Sequence, residues 1–323
     1  MLTGDYYDRI EAPMMNARIA LHHGIVSGSA EYGYRYRILV PYAAEGVARL
    51  VQHLPVVRTH PVEPLLPYSR LAFVAAYSVL NFLALIVLLG SLGELIWRMF
   101  RYELALIGVL VSAVMVSFTF RDQYFHPWSF WEGAFFAAGL LLIHRKQYLL
   151  FLVVSLLGLL NRETSVFLVL AFLLTTLPHT LSKDSMRRTL RSLEFRFAVG
   201  SLAIWVGGYF ILHYIVGYKP TYFTIAKALA ANRAHLKYAL ILNGLLFGLI
   251  SPLVVRGIPL SPSLIRRSAL MMPAYLVLLL VIGFWWEIRY WITLLPIIVP
   301  ALVAALASNP TPPSEPFSLN VPR

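Results

Sequence analysis

Long apolar runs alternate with short polar breaks over most of the chain, at roughly 71–93, 104–120, 128–144, 148–160, 165–178, 197–216, 238–255, 268–285 and 290–307. Several reach the ~20 residues that carry a helix across a hydrocarbon layer of ~30 Å. The pattern therefore predicts an all-α, polytopic transmembrane helix bundle of about nine helices over residues 71–307. The runs at 148–160 and 165–178 are too short individually, and the polar tetrad Asn161-Arg162-Glu163-Thr164 divides them. As one straight helix, residues 148–178 would extend ~46 Å at 1.5 Å per residue. Two short helices meeting at a polar apex fit a membrane better.

Residues 1–70 read differently. They carry seven basic and six acidic side chains, many tyrosines, and two amphipathic-looking stretches at about Ala12–His23 and Ile38–Leu54. Pro55, Pro61, Pro64 and Pro67 then punctuate the chain before the first long run. This segment is expected to form amphipathic helices lying at a membrane face, and residues 308–323 a flexible tail.

Composition agrees with the pattern. Apolar residues make up 59% of the 323 and charged ones 13%, with a mean hydropathy of +0.70. Soluble domains average roughly 45–50% apolar and about 25% charged. The absence of cysteine excludes disulfides and Cys-ligated metals. The net charge of +12 comes from basic residues in short loops between apolar runs. That placement points to an anionic membrane surface rather than nucleic acid. No zinc-finger, P-loop or dinucleotide glycine motif is present.

Loop charge also sets orientation. One set of loops holds Arg98, Arg101, Arg145, Lys146, the five basic residues between Lys183 and Arg196, Arg256, Arg266, Arg267 and Arg323, thirteen in all. The other set holds seven: Arg121, Arg162, Lys219, Lys227, Arg233, Lys237 and Arg289. The richer set belongs in the cytoplasm, which puts loop 181–196 and the C-terminus there in a plasma (inner) membrane. Reading 148–178 as a single span would erase this bias. Residues 1–70, Arg121, Asp122, His126, Arg162, Glu163, Glu287 and Arg289 then share the extracytoplasmic side, together with nine of the fifteen acids.

These clustered charges are the candidate chemistry. Arg162 and Glu163 between two apolar helices must be paired or face water, and functional residues are the usual reason for keeping them there. The helix starting near Ser165 points its amide end at this apex, which favours an anion such as phosphate. Arg121, Asp122 and His126 occupy a second polar, aromatic loop. Glu287 and Arg289 lie between Trp285-Trp286 and Tyr290-Trp291, a setting that suits a membrane anchor, a sugar ring or a lipid phosphate. Arg35 and Arg37, two positions apart, cannot share a helical face, so one of them points inward. Glu132 lies about one turn from the outer surface, either in the outer cluster or hydrogen-bonded within the bundle. No pair of histidines has a convincing metal spacing with acids, so no dedicated metal site is expected.

At these residues the chain resembles the GT-C superfamily of membrane glycosyltransferases, which use polyprenyl-phosphate sugars. Gly4-Asp5-Tyr6-Tyr7-Asp8 resembles the start of that superfamily's first outer loop, and the two amphipathic stretches resemble the helices that follow it. Leu160-Asn161-Arg162-Glu163-Thr164 resembles its polar break, and Glu287-x-Arg289 ahead of Pro296 its late acidic–arginine patch. The superfamily carries a membrane helix before this loop, so the resemblance implies a further helix encoded upstream of Met1. It also implies Asp5, and secondarily Asp8, as general base on an acceptor hydroxyl. Arg37, Arg121, Arg162 or Arg289 would stabilise the departing lipid phosphate. The donor would be a polyprenyl-phosphate sugar, with room left for a divalent metal. A transporter or flippase of lipid-linked or small polar substrates is the rival reading, and a non-catalytic assembly subunit a third. Charges gathered at one face and the lack of a clear repeat favour the enzyme.

Overall fold

A computed structural model describes residues 12–30, 32–119, 126–178, 182–217, 225–248, 250–285 and 287–307. Among them the chain is helical throughout, with no strand and one isolated antiparallel bridge, Val62 to Ser69. The expected residues 1–11 and the tail 308–323 lie outside the described residues.

Two helices come first, α1 (Ala12–Val26) and α2 (Leu39–Gln52). Only α2 is amphipathic in the ordinary sense, burying Val40, Pro41, Ala44 and Ala48 along one stripe. α1 is one-sided too, but its buried face includes Arg18 and His22 beside Ile19 and Ile25. The expected apolar stripe is therefore a mixed polar one. A third helix, α3 (Arg70–Met99), begins where Ser69 caps it, its hydroxyl accepting from the Ala72 amide at 3.3 Å. Ala72, Ala76, Leu80, Ala84, Leu88, Leu92 and Leu95 recur every three or four residues and are fully or nearly buried. This seam packs α3 against α4 (Tyr102–Ser117), α5 (Trp128–His144) and α2.

α5 sits at the centre, since most of its length is buried. α6 (Tyr148–Asn161), a 3-10 turn at Glu163–Ser165 and α7 (Val166–Thr176) follow. Tyr148 and Phe151 near the start of α6 lie against Phe172 near the end of α7, with ring centroids 5.4 and 4.8 Å apart. The two helices thus run out and back, and Arg162 and Glu163 form their apex, as the charge pattern requires.

The rest comprises α8 (Lys183–Arg191), α9 (Leu193–Val216), α10 (Ile225–Ala234), α11 (Leu236–Phe247), α12 (Ser251–Leu260), α13 (Ser263–Ser268), α14 (Met272–Ile282) and α15 (Leu295–Leu306). A 3-10 turn joins α13 to α14, and a longer one, Ile288–Leu294, leads into α15.

Four stretches are long and apolar enough to cross a membrane: Arg70–Met99, Leu193–Val216, Ser263–Ile282 and Ile288–Leu306. The α11–α12 pair, bent by 50°, would be a fifth. Each of the nine predicted runs contains helix; among the described residues four or five reach spanning length, while Tyr102–Ser117, Tyr148–Asn161 and Glu163–Thr176 are shorter apolar helices. Phe82, Ile86, Phe210, Ile211 and Ile215 are among the large apolar side chains that point outward.

The last helix approaches its neighbours through glycine. A β-carbon at Gly257 of α12 would lie 1.8 Å from the Ala301 carbonyl oxygen of α15. Gly257→Ala must therefore push α12 off α15, and overpacking of this kind costs about 1–3 kcal/mol or more. A thermal-unfolding measurement in detergent should show the loss, whereas Gly46→Ala, with open space around it, should not.

Candidate functional site

Three helix ends and a turn meet at the end of the bundle that α1 and α2 cover: the starts of α5 and α7, the end of α6, and the 3-10 turn ahead of α15. Each delivers a polar side chain where its helix breaks. Asn161 ends α6 and donates through Nδ2 to the Trp128 carbonyl at 2.9 Å, tying the apex to the start of α5. Arg162 then leaves the helix in an extended conformation and turns inward. Its Nη1 meets Glu132 Oε2 of α5 at 2.7 Å, and Thr164 donates to the other oxygen of that carboxylate. Arg162 and Glu132 are 6% and 4% exposed. A buried pair holds only when both charges are satisfied in this way.

Arg289 is 3% exposed. Its Nη2 lies 2.5 Å from Glu287 Oε2, and its Nη1 contacts Ser129 Oγ at 3.3 Å. The guanidinium carbons of Arg162 and Arg289 lie 5.0 and 4.7 Å from the Tyr290 ring centre. Tyr275 fixes this turn by donating its hydroxyl to the Tyr290 carbonyl at 3.0 Å. Arg37, at the entrance to α2, stacks on Trp128 and Tyr34 at 4.9 and 5.1 Å. It is the inward member of the Arg35–Arg37 pair. Two asparagines hold the neighbouring segment: Asn232 bonds the Gly283 carbonyl and the Trp285 amide, and Asn243 the Trp285 carbonyl and the Trp291 indole.

Three guanidinium groups therefore converge. Arg162 and Arg289 each have a carboxylate, whereas Arg37 forms no ion pair among the described residues. Burial, followed by the charges of Arg162 and Arg289, lowers Arg37 from the usual arginine value to about 10, with part-buried Glu163 acting against them. Arg37 is still charged at neutral pH. Buried nitrogens without a partner cluster here as well: Arg37 Nε, Arg289 Nε, His126 Nδ1 and Trp128 Nε1. Glu132, Glu163 and Glu287 match the three guanidinium groups in number, but Arg37 is in no ion pair among the described residues, and donors held ready beside it suit an anion with several oxygens.

His126 and Glu287 form the remaining pair, Nε2 to Oε1, at 3.6 Å. Burial and then Arg289 lower the imidazole to about 3, so it is neutral at pH 7. Burial opposes ionisation of Glu287, but Arg289 and then His126 outweigh it and hold the carboxyl at about 2. Between about pH 6.5 and 3 an unfolded chain protonates His126 while the folded one does not, so stability falls as pH drops through that window. Glu287 adds a loss only below about pH 4.5. His126→Asn should therefore remove up to about 2 kcal/mol of the stability lost between pH 7 and 5. Thermal unfolding at the two pH values reads this, and some slope should persist because burial also lowers His22. An unchanged slope would mean that His126 is solvated.

Of the residues expected at the site, the fold thus gathers Arg37, His126, Arg162, Glu163, Glu287 and Arg289. Asp5, Asp8, Arg121, Asp122 and Trp286 lie outside the described residues. Glu132, Ser129, Thr164 and Tyr290 are the site members that the sequence left unassigned. Glu132 carried the clearest signal, as the sole carboxylate of a 17-residue apolar helix. Among the described residues no group of three or more His, Asp or Glu side chains could hold a metal ion.

A second polar network joins α1, α2 and α3. Glu45 accepts from the Tyr68 hydroxyl at 2.8 Å and contacts His22 Nε2 at 3.2 Å, while His22 Nδ1 meets the Tyr77 hydroxyl at 2.8 Å. Both imidazole nitrogens are occupied, so the network braces the three helices. No family model, curated protein or solved structure matches this chain.

Proposed function

We propose that the chain is a multi-pass membrane glycosyltransferase that moves a sugar from a polyprenyl-phosphate donor to an acceptor at the extracytoplasmic face. The observation that carries this reading is the convergence of Arg37, Arg162 and Arg289, with Arg37 in no ion pair among the described residues. Cleavage of a glycosyl phosphate builds charge on the departing phosphate, and fixed guanidinium groups stabilise that charge where water is scarce. Aromatic side chains beside them offer flat faces to a sugar ring. Long apolar helices with outward-facing apolar side chains support the membrane placement, and the thirteen-to-seven loop asymmetry supports the orientation.

In this mechanism Asp5 takes the proton of the acceptor hydroxyl as it attacks the anomeric carbon, and the lipid phosphate leaves toward the arginines. Asp8, followed at once by Arg9, fits a helix-start role better. Radiolabelled polyprenyl-phosphate sugar supplied to purified protein in liposomes, with an acceptor extract, tests the reading. Asp5→Asn should lower transfer by ~10²–10⁴-fold, and Asp8→Asn much less. Normal transfer by both variants would remove the proposed base.

A further inference from the structure

The opposite end of the bundle carries a feature that the transfer site does not use. A cavity of about 520 Å³ opens there between α8, the end of α5, the end of α7 and the start of α13. Its lining includes Lys146, Arg188 and Arg267 as cations and Glu194 as the one carboxylate. Glu194 lies close enough to the Tyr148 hydroxyl to interact with it electrostatically. Arg267 spends its Nη1 on the Thr175 and Leu177 carbonyls at the end of α7. Lys146 and Arg188 form no ion pair among the described residues. The cavity thus presents two unbalanced cations, both exposed at its rim: Lys146, which follows α5 at a positive φ of 57°, and Arg188 on α8, which starts at a Ser182 cap.

The helix that walls the cavity has three distinct sides. At 100° per residue, Ser185, Arg188, Thr189 and Ser192 fall on one, of which Arg188, Thr189 and Ser192 line the cavity. Met186 and Leu190 make an apolar stripe on the second, and Lys183, Arg187 and Arg191 a mainly basic band on the third, with Asp184 beside Arg191 at its edge. The apolar stripe is only partly covered: no residue of α8 is fully buried, and Met186 is half-buried. Leu190 is 50% exposed, and Leu193, just past the Ser192 break, is 60% exposed. A short helix with a partly uncovered apolar stripe flanked by lysine and arginine lies in a lipid interface, with the stripe down and the cations at phosphate level.

We propose that this cavity is a binding site for the phosphate headgroup of an anionic phospholipid, held by Lys146 and Arg188, with α8 lying in the interface beside it. The inference rests on the membrane placement proposed above but not on sugar transfer, and its test needs no sugar.

Purified protein in a zwitterionic detergent would be titrated with a short-chain phosphatidylglycerol, the matching phosphatidylcholine, or inorganic phosphate, and thermal unfolding followed. Phosphatidylglycerol should raise the unfolding temperature saturably, and phosphatidylcholine should not. Lys146→Gln/Arg188→Gln should weaken the phosphatidylglycerol effect about 30-fold while unfolding normally without lipid. Lys183→Gln/Arg187→Gln, on the other side of α8, should leave saturable binding within a few-fold of the wild type. Equal stabilisation by both lipids, no stabilisation, or full retention in the Lys146/Arg188 variant would overturn the site. Binding of inorganic phosphate alone, lost in that variant, would overturn the lipid as occupant and assign the site to a soluble phosphate compound.

Discussion

Arg37→Gln should lower sugar transfer by ~10²–10³-fold, the loss seen when one fixed donor to a developing negative charge is removed. It should do so with little effect on folding. Among the described residues Arg37 has no paired carboxylate to leave stranded, and its contacts are ring faces, Trp128 at 4.9 Å and Tyr34 at 5.1 Å. Exposed to desolvated cation–π contacts are worth about 0.5–2 kcal/mol. Arg37→Lys keeps the charge but loses the planar fork, so it should recover only part of the activity. Activity and unfolding temperature measured on the same preparations separate the two roles. Normal transfer with a lowered unfolding temperature would make Arg37 a packing residue.

Arg162 should behave in the opposite way. Its guanidinium pairs with Glu132 at 2.7 Å, and both side chains are buried. Arg162→Ala leaves a buried carboxylate without its counter-charge, which costs about 3–5 kcal/mol. Adding Glu132→Gln should restore most of that stability, because the uncompensated charge disappears with it. Activity should not return, since the guanidinium at the apex is still missing. Stability recovered without turnover in the double variant would assign Arg162 both a structural and a phosphate-facing part. Recovery of turnover as well would leave it only the structural one. Arg162→Ala alone cannot distinguish these, which makes the double variant the informative protein.

Much of this was legible from local pattern. The tetrad Asn161–Thr164 interrupts an apolar stretch too long for one span, and the structure turns the chain back at that point. Charges placed on one side by loop counting do converge at one end of the bundle, from Arg37 in the first helices to Arg289 before the last. Pairing was not legible. Nothing near Glu132 names Arg162 thirty positions later, although each is an isolated charge in an apolar setting and so needs a partner. The cation faces of Tyr290 were hidden for a related reason, because an aromatic at a helix boundary reads equally as a membrane anchor. Helix α1 was misread because a hydropathy stripe cannot register a buried face made of Arg18 and His22. Apolar run length also hid where helices end, since the α11–α12 pair bends by 50° and 3-10 turns interrupt stretches whose composition is uniformly apolar.

Three arginines from distant parts of the chain, Arg37, Arg162 and Arg289, are thus proposed to hold a lipid phosphate. Equilibrium binding of a radiolabelled polyprenyl phosphate to the purified protein, with Arg37→Gln as comparison, tests this proposal most directly. Binding to the wild type should be saturable, displaced by excess unlabelled polyprenyl phosphate but not by the uncharged polyprenol, and weakened at least tenfold in Arg37→Gln. Binding of polyprenol and polyprenyl phosphate with equal affinity, or binding unaffected by Arg37→Gln, would contradict it.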